Sequence, residues 1–471
     1  MDALALLLSR LQFAFTISFH IIFPAFTIGL AAWLTVLEAL HLVTGRPAYR
    51  VVFDFWLRIF GVAFALGVVS GIVMAFQFGT NWSVLAKMSG PIQGPLLSYE
   101  TFTAFALEAT FFGVLMFGRS RVPPWFYLFS TAMVALGTTL SAFWILANNS
   151  WMQVPVGYVL ENGAFVATDW FKIIFNSVLW VRFPHMLLAS YLTGAFCVAA
   201  TGAWYLLRRI YPAEARIMLG MGLGLAAVLI PVQLFFGHLN GRYVGEYQPS
   251  KMAAIEARWH DEQPASEVLI GWPDVENRRN LYAITLPPPF GSLIDSDSLT
   301  AAEVGLESIP PENWPPVLIP FFSFRIMVGC GVLMLVLAWL GSYLMLKRRL
   351  EQNRLLLWAI FLSFPLPFIA ILTGWYTAEV GRQPWVVYGV LRTADAVTPF
   401  LTARSAAASL VMFCVVYTLI FAFGTFYIYR LLRAGPGGYV VAPTPPATPS
   451  RPMSLADRDA AGSQVGTGAQ P

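Results

Sequence analysis

Charge is what this chain most lacks. Of its 471 residues only 11% are Asp, Glu, Lys or Arg, while 57% are hydrophobic. A water-soluble domain carries roughly 25% charged residues, so the deficit excludes an ordinary soluble fold. Cysteine is scarce as well. Cys197, Cys330 and Cys414 each sit in an apolar stretch, far from one another, which fits small buried hydrophobes and argues against a disulfide framework or a thiolate metal site. No basic block accompanies the formal net charge of +4, so no nucleic acid is expected as a partner. The opening MDALALLLSRLQF has neither the basic n-region nor the small-residue cleavage site of a signal peptide, and its apolar stretch is expected to remain as a membrane helix. No internal repeat stands out.

What the chain has instead is a series of apolar runs, each near the ~20 residues a helix needs to cross a bilayer. Backbone groups in lipid must be satisfied internally, and the runs lack the alternation of a barrel strand. The expected fold class is therefore all-α and polytopic, with about nine transmembrane helices near 12–40, 53–78, 97–117, 125–148, 178–208, 217–240, 317–346, 355–378 and 405–432. Arg46, Arg50, Arg119, Arg121, Arg208, Arg209, Arg216, Lys347, Arg348, Arg349, Arg354, Arg430 and Arg433 gather in alternate connections. The positive-inside rule then sets the N-terminus outside and the C-terminus in the cytoplasm. The chain divides into helices one to six (1–240), a long polar outer connection (241–316), helices seven to nine (317–434) and a Pro-, Ala- and Ser-rich tail (435–471) whose composition reads as disordered.

Ionisable groups at membrane depth are expensive and mark functional sites. Of five histidines, His20 lies in span one and His185 in span five; Met327 and Arg325 lie in span seven, and Glu379 closes span eight. The topology assigns all of these to the outer half of the membrane. An imidazole and a thioether from two helices at one depth can supply both axial positions of a low-spin haem. Span three carries Glu100 and Glu108, whose directions on an ideal helix differ by about 80°. Buried carboxyls of this kind suit proton handling. A secondary transporter would show repeat symmetry, and a simple membrane cytochrome b leaves His20 and Glu379 unexplained.

The segments SRLQFAFTISFH, LEATFFG, WMQVPVG, QPSKMAAIE, FRIMVG and AEVGRQPW follow one another along the chain. In this order they resemble subunit I of the cytochrome bd-type quinol oxidases over nearly everything but the tail. The short connection after QPSKMAAIE is similar to the short Q-loop, cyanide-insensitive branch. The resemblance implies a terminal respiratory enzyme of the bacterial inner membrane that oxidises quinol, reduces dioxygen to water and builds a proton motive force by charge separation without pumping. It implies a low-spin haem b on His185 and Met327, and a high-spin haem b together with a haem d, or a third haem b, on His20 and Glu379. Which of the latter two sites takes oxygen stays open. Trp375, Arg382 and Arg325 would surround the haems. Glu100 and Glu108 would move or balance protons, with Ser141 and Asn149 on the proton path. Lys251 and Glu256 would meet quinol under a periplasmic Q-loop. The implied partners are a second polytopic subunit (cytochrome bd subunit II), a small single-helix subunit, and membrane lipid.

Overall fold

The computed structural model describes residues 3–437. Its helices, in chain order, are α1 (Ala3–Thr44), α2 (Pro47–Ala75), α3 (Gln77–Thr80), α4 (Ser83–Glu100), α5 (Ala106–Phe117), α6 (Pro124–Gln153), α7 (Trp170–Ile174), α8 (Leu179–Arg208), α9 (Pro212–Tyr247), α10 (Pro249–Glu256), α11 (Phe290–Ser296), α12 (Leu318–Leu346), α13 (Arg354–Leu362), α14 (Leu366–Val380) and α15 (Ala403–Ala434). Among the described residues, strands form three antiparallel hairpins: β1 (Tyr158–Glu161) with β2 (Ala164–Ala167), β3 (Glu267–Asp274) with β4 (Arg279–Leu286), and β5 (Trp385–Val387) with β6 (Leu391–Arg392).

Among the described residues, nine stretches are long and apolar enough to cross a membrane: α1, α2–α3, α4–α5, α6, α7–α8, α9, α12, α13–α14 and α15. All nine expected spans are found. The third begins earlier than the expected 97, at Ser83. Gly90, Pro91, Gly94 and Pro95 make that stretch read as a loop, yet Leu85, Ile92 and Leu96 are buried with Trp151, Phe165 and Val387, and this packing outweighs the weak helix propensity. A five-residue π segment, Thr101–Phe105, joins α4 to α5. Helix α9 runs through residue 240 to Tyr247, so the long connection begins inside a helix. The expected disordered tail lies outside the described residues from 438 onward.

Close helix approach holds the centre together. A Cβ on Gly29 would stand 2.2 Å from the Ser190 carbonyl oxygen, and Gly194 meets the Gly29 backbone in turn; small residues let α1 and α8 cross nearly backbone to backbone. The 241–316 connection folds on a small core of its own, in which Ala253, Ala257, Trp259, Val268 and Leu306 pack on Phe321 of α12. The bundle end that carries this connection is the loop end. At the other end Arg119 forks onto buried Glu38 at 3.1 and 2.7 Å and lies 3.3 Å from Asp54. Its guanidinium stacks on Phe53 and Tyr127, tying α1, α2 and α6 to the α5–α6 turn.

Candidate functional site

Four helices share a packed layer in which Leu192 and Phe196 of α8, Ile230 of α9, and Met334 and Ala338 of α12 meet Ala370 of α14. Spans five and seven both run away from the loop end. His185 precedes Leu192 by seven residues and Met327 precedes Met334 by seven, so both side chains lie about 10 Å nearer the loop end than the layer. Both candidate ligands thus precede the same packed layer on the loop side. Each faces a glycine: a Cβ on Gly237 would come within 3.3 Å of His185 Cε1, and one on Gly374 within 2.9 Å of Met327 Sδ. His185 Nε2 is 3.4 Å from Gln233 Nε2, while its Nδ1 has no protein partner.

His20 is oriented by α2. Ser70 Oγ donates to the Gly67 carbonyl at 3.0 Å, so it accepts from His20 Nδ1 at 2.9 Å. The ring proton is thereby held on Nδ1 and Nε2 is left bare, the tautomer a metal-ligating histidine needs. A Cβ on Gly71 would touch His20 Cε1 at 3.0 Å. Next to these rings, Ile21 and Ala25 of α1 and Ile371 of α14 bury against Met186 and Trp375. One cluster therefore joins the immediate neighbours of His20 and His185 to Trp375, one turn before Glu379.

Glu379 is the centre of a buried polar network. Its Oε1 accepts from Asn149 at 3.1 Å and Gln153 at 3.0 Å, and its Oε2 accepts from Arg382. Asn149 Oδ1 accepts from Arg182, which also donates to Ser150 at 3.1 Å. Gln153 Oε1 accepts from Lys251 Nζ at 2.7 Å and from Gln248 at 3.1 Å. Lys251 reaches this network across Gly381, where a Cβ would stand 2.8 Å from its Cγ. Burial holds the Lys251 pKa well below the usual lysine range, against the opposing charge of Glu379. Sequence reasoning misses Arg182, Gln153 and Gln248, although a guanidinium three residues ahead of His185 in an apolar run was a usable signal.

Glu100 and Glu108 both face α6. Ser141 donates to Glu100 Oε1 at 2.7 Å. A Cβ on Gly137 would come within 2.7 Å of Glu108 Cγ. Positions 137 and 141 are four apart and so lie on one helix face. The intervening π segment takes up the phase difference an ideal helix would impose.

Glu256 stands apart from Lys251. Five residues on α10 turn it by about 140°, and it pairs with Arg325 at 3.1 Å. Arg325 also donates to the carbonyls of Ile255 at 2.7 Å, Phe321 at 3.1 Å, Leu269 at 3.1 Å and Val268. Its guanidinium is thus spent on the loop backbone and a carboxylate. The sequence groups Lys251 with Glu256; the structure turns them to opposite sides.

The donor set suits haem iron. His20 offers a bare, oriented nitrogen, His185 has an unpartnered one, Met327 lies over a glycine, and Glu379 Oε2 keeps a second lone pair beyond Arg382. Buried Arg382 also has Nε and one terminal nitrogen without partners, as an acidic haem edge would require.

The family model for cytochrome bd terminal oxidase subunit I matches residues 8–436. The chain is 36% identical to cytochrome bd ubiquinol oxidase subunit 1 of Bacillus subtilis (strain 168), over 91% of this chain and 94% of that protein. It is 34% identical to cytochrome bd-II ubiquinol oxidase subunit 1 of Escherichia coli (strain K12), over 91% and 96%. The solved bd oxidase of Geobacillus thermodenitrificans superposes with a TM-score of 0.85 at 29% identity, over 91% of this chain and 98% of that one. The chain belongs to the cytochrome bd terminal oxidase subunit I family and is a many-span membrane subunit of a respiratory quinol oxidase.

Proposed function

We propose that this subunit oxidises quinol at the 241–316 connection and delivers the electrons to dioxygen through three haem sites: one on His185 and Met327, one on His20 and one on Glu379. Family membership carries the coarser statement that the enzyme is a quinol oxidase with haem cofactors and a partner subunit. When bound, the haems would supply the one-electron redox chemistry that links quinol oxidation to the reduction of dioxygen to water. The low-spin site would take a haem b; the other two would take a high-spin haem b and a haem d, or a third haem b.

The protein's own groups do the rest. Glu256, held by Arg325 at 3.1 Å, accepts a proton from the quinol hydroxyl as a general base. Ser70 fixes the His20 ring. Arg382, Asn149 and Gln153 keep Glu379 oriented, and Lys251 in turn donates to Gln153. Glu108 and Glu100, lined up on the Gly137–Ser141 face of α6, carry protons toward the reacting oxygen, and Asn149 lies further along the same helix. Quinol protons leave on the periplasmic side and consumed protons come from the cytoplasm, so charge is separated without pumping. This reading assigns the N-terminus and the 241–316 loop to the periplasm and the C-terminus to the cytoplasm of a bacterial inner membrane. Subunit II and a single-helix subunit would pack on the lipid-facing apolar surfaces.

The observation that carries the reading is the shared cluster of Ile21, Met186, Ile371 and Trp375, which supports electron transfer between sites at His20, His185 and Glu379. The test is the absorption spectrum of the purified, dithionite-reduced complex with and without carbon monoxide. B-type bands plus a CO-reactive fraction are expected, and a far-red band would identify haem d. An intact preparation without haem sinks the proposal.

A further inference from the structure

Beside Glu256 the loop holds further buried acids that the chemistry above does not use. Ligand-type oxygens of Glu256, Glu267 and Asp295 lie within 4.8 Å of one another. Glu267 opens β3 and Asp295 sits on α11. The charged groups facing them are two guanidiniums and one more carboxylate. Arg325 is 3.1 Å from Glu256 and 3.9 Å from Glu267. Arg258 is 2.7 Å from Asp295 and 4.0 Å from Glu303. Four acids thus face two bases in a place with almost no solvent, and like charges this close cannot all ionise. Two guanidiniums already among the oxygens leave little room for a metal ion.

A second observation points to Glu267 as the acid that keeps a proton. Glu267 is 6% exposed, and no protein donor reaches its Oε2. A buried acceptor without a donor is costly, and a proton on that carboxyl turns it into a donor to its neighbour. Burial, followed by the charge of Glu256, pushes the Glu267 pKa up to about 10. On the far side, Asp295, Glu303 and Arg258 line a cavity of about 470 Å³ whose wall includes Arg242, itself half exposed.

We propose that Glu267 shares a proton with Glu256 and passes the proton taken from quinol outward, past Asp295 and Glu303, into this cavity. The proposal rests on the reading that Glu256 meets quinol. In the step, a quinol O–H bond breaks, its proton goes to the pair, and its electron leaves through the oxidase to dioxygen. The pair briefly holds two protons. Glu267 then releases one toward Asp295, and the pair returns to one. Glu267 never touches quinol; it is a positioning residue acting through Glu256.

The test is quinol oxidase kinetics of the complete complex carrying Glu267→Gln, read across pH beside its low-spin haem spectrum. The amide still fills the space but has no acidic proton to take up or release. The expected result is a fall in kcat of roughly tenfold or more, an unchanged quinol KM, an altered pH profile and an unchanged haem spectrum. Unchanged kcat and pH profile overturn the proposal. Glu256→Gln separates the two readings: if it too is silent, the quinol-base reading has failed, whereas a slow Glu256→Gln beside a silent Glu267→Gln rejects the relay alone. Should Glu267→Gln lose its haem, Glu267→Asp decides. Recovered haem with partial kcat and a shifted pH profile supports the relay; recovered haem without recovered kcat, or continued loss of haem, rejects it.

Discussion

At the scale of single residues, glycines frame the candidate ligands. A Cβ on Gly374 would stand 2.9 Å from Met327 Sδ, a contact closer than side chains tolerate. Gly374→Val is therefore expected to displace the thioether at a cost of about 1–3 kcal/mol and to convert the low-spin haem spectrum toward high spin. An unchanged reduced-minus-oxidised spectrum would remove Met327 from the ligand set. Gly237→Ala, with 3.3 Å to His185 Cε1, is expected to act in the same direction but more weakly. His20, His185, Met327 and Glu379 were legible in the sequence because polar and sulfur-bearing groups stand out in apolar runs. Their glycine neighbours were not, since the need for a missing Cβ arises only when α12 meets α14 or α8 meets α9. Lys251 was misgrouped for a similar reason. Proximity to Glu256 in the chain concealed the turn of α10 that sends it to Gln153 instead.

At the scale of elements, the third span shows what periodicity leaves out. Its apolar half was readable, but its Gly- and Pro-rich beginning hid a helix that packing against Trp151 and Phe165 sustains. The π segment Thr101–Phe105 was equally invisible, because no residue pattern marks an extra residue in a turn. Yet it decides where Glu108 points. Inserting one alanine after Phe102, which is largely exposed within it, would add a residue beyond the one the π segment absorbs and rotate Glu108 by about 100° relative to Glu100. The expected outcome is a severe loss of oxygen consumption with the low-spin haem spectrum retained, measured on the same membranes. Retained oxygen consumption would show that the shared α6 face does not carry protons.

At the scale of the molecule, the membrane bundle and the loop respond differently to pH. Glu267 and Asp295 lie outside the membrane spans, and burial pushes the first up to about 10 and the second up to about 6. A carboxyl whose folded pKa is raised stabilises the fold below its unfolded value, and that contribution is lost as pH rises through the folded one. For Asp295 the window runs from 3.8 to about 6, and for Glu267 from 4.5 to about 10. Limited proteolysis within the loop is expected to accelerate as pH rises across these windows, and Glu267→Gln is expected to flatten the upper part. A cleavage rate independent of pH would contradict it. The anchoring of Lys251 then acquires a mechanical meaning. Its amine is pinned to Gln153, at the end of a membrane helix, so α10 is riveted to the bundle, while the chain beyond Ala257 is tied to it by Arg325, by the pairs of Asp297 with His238 and Arg242, and by Arg392. Any displacement of the 241–316 loop must part those ties first, and the rivet leaves the Glu379 network closed while it does.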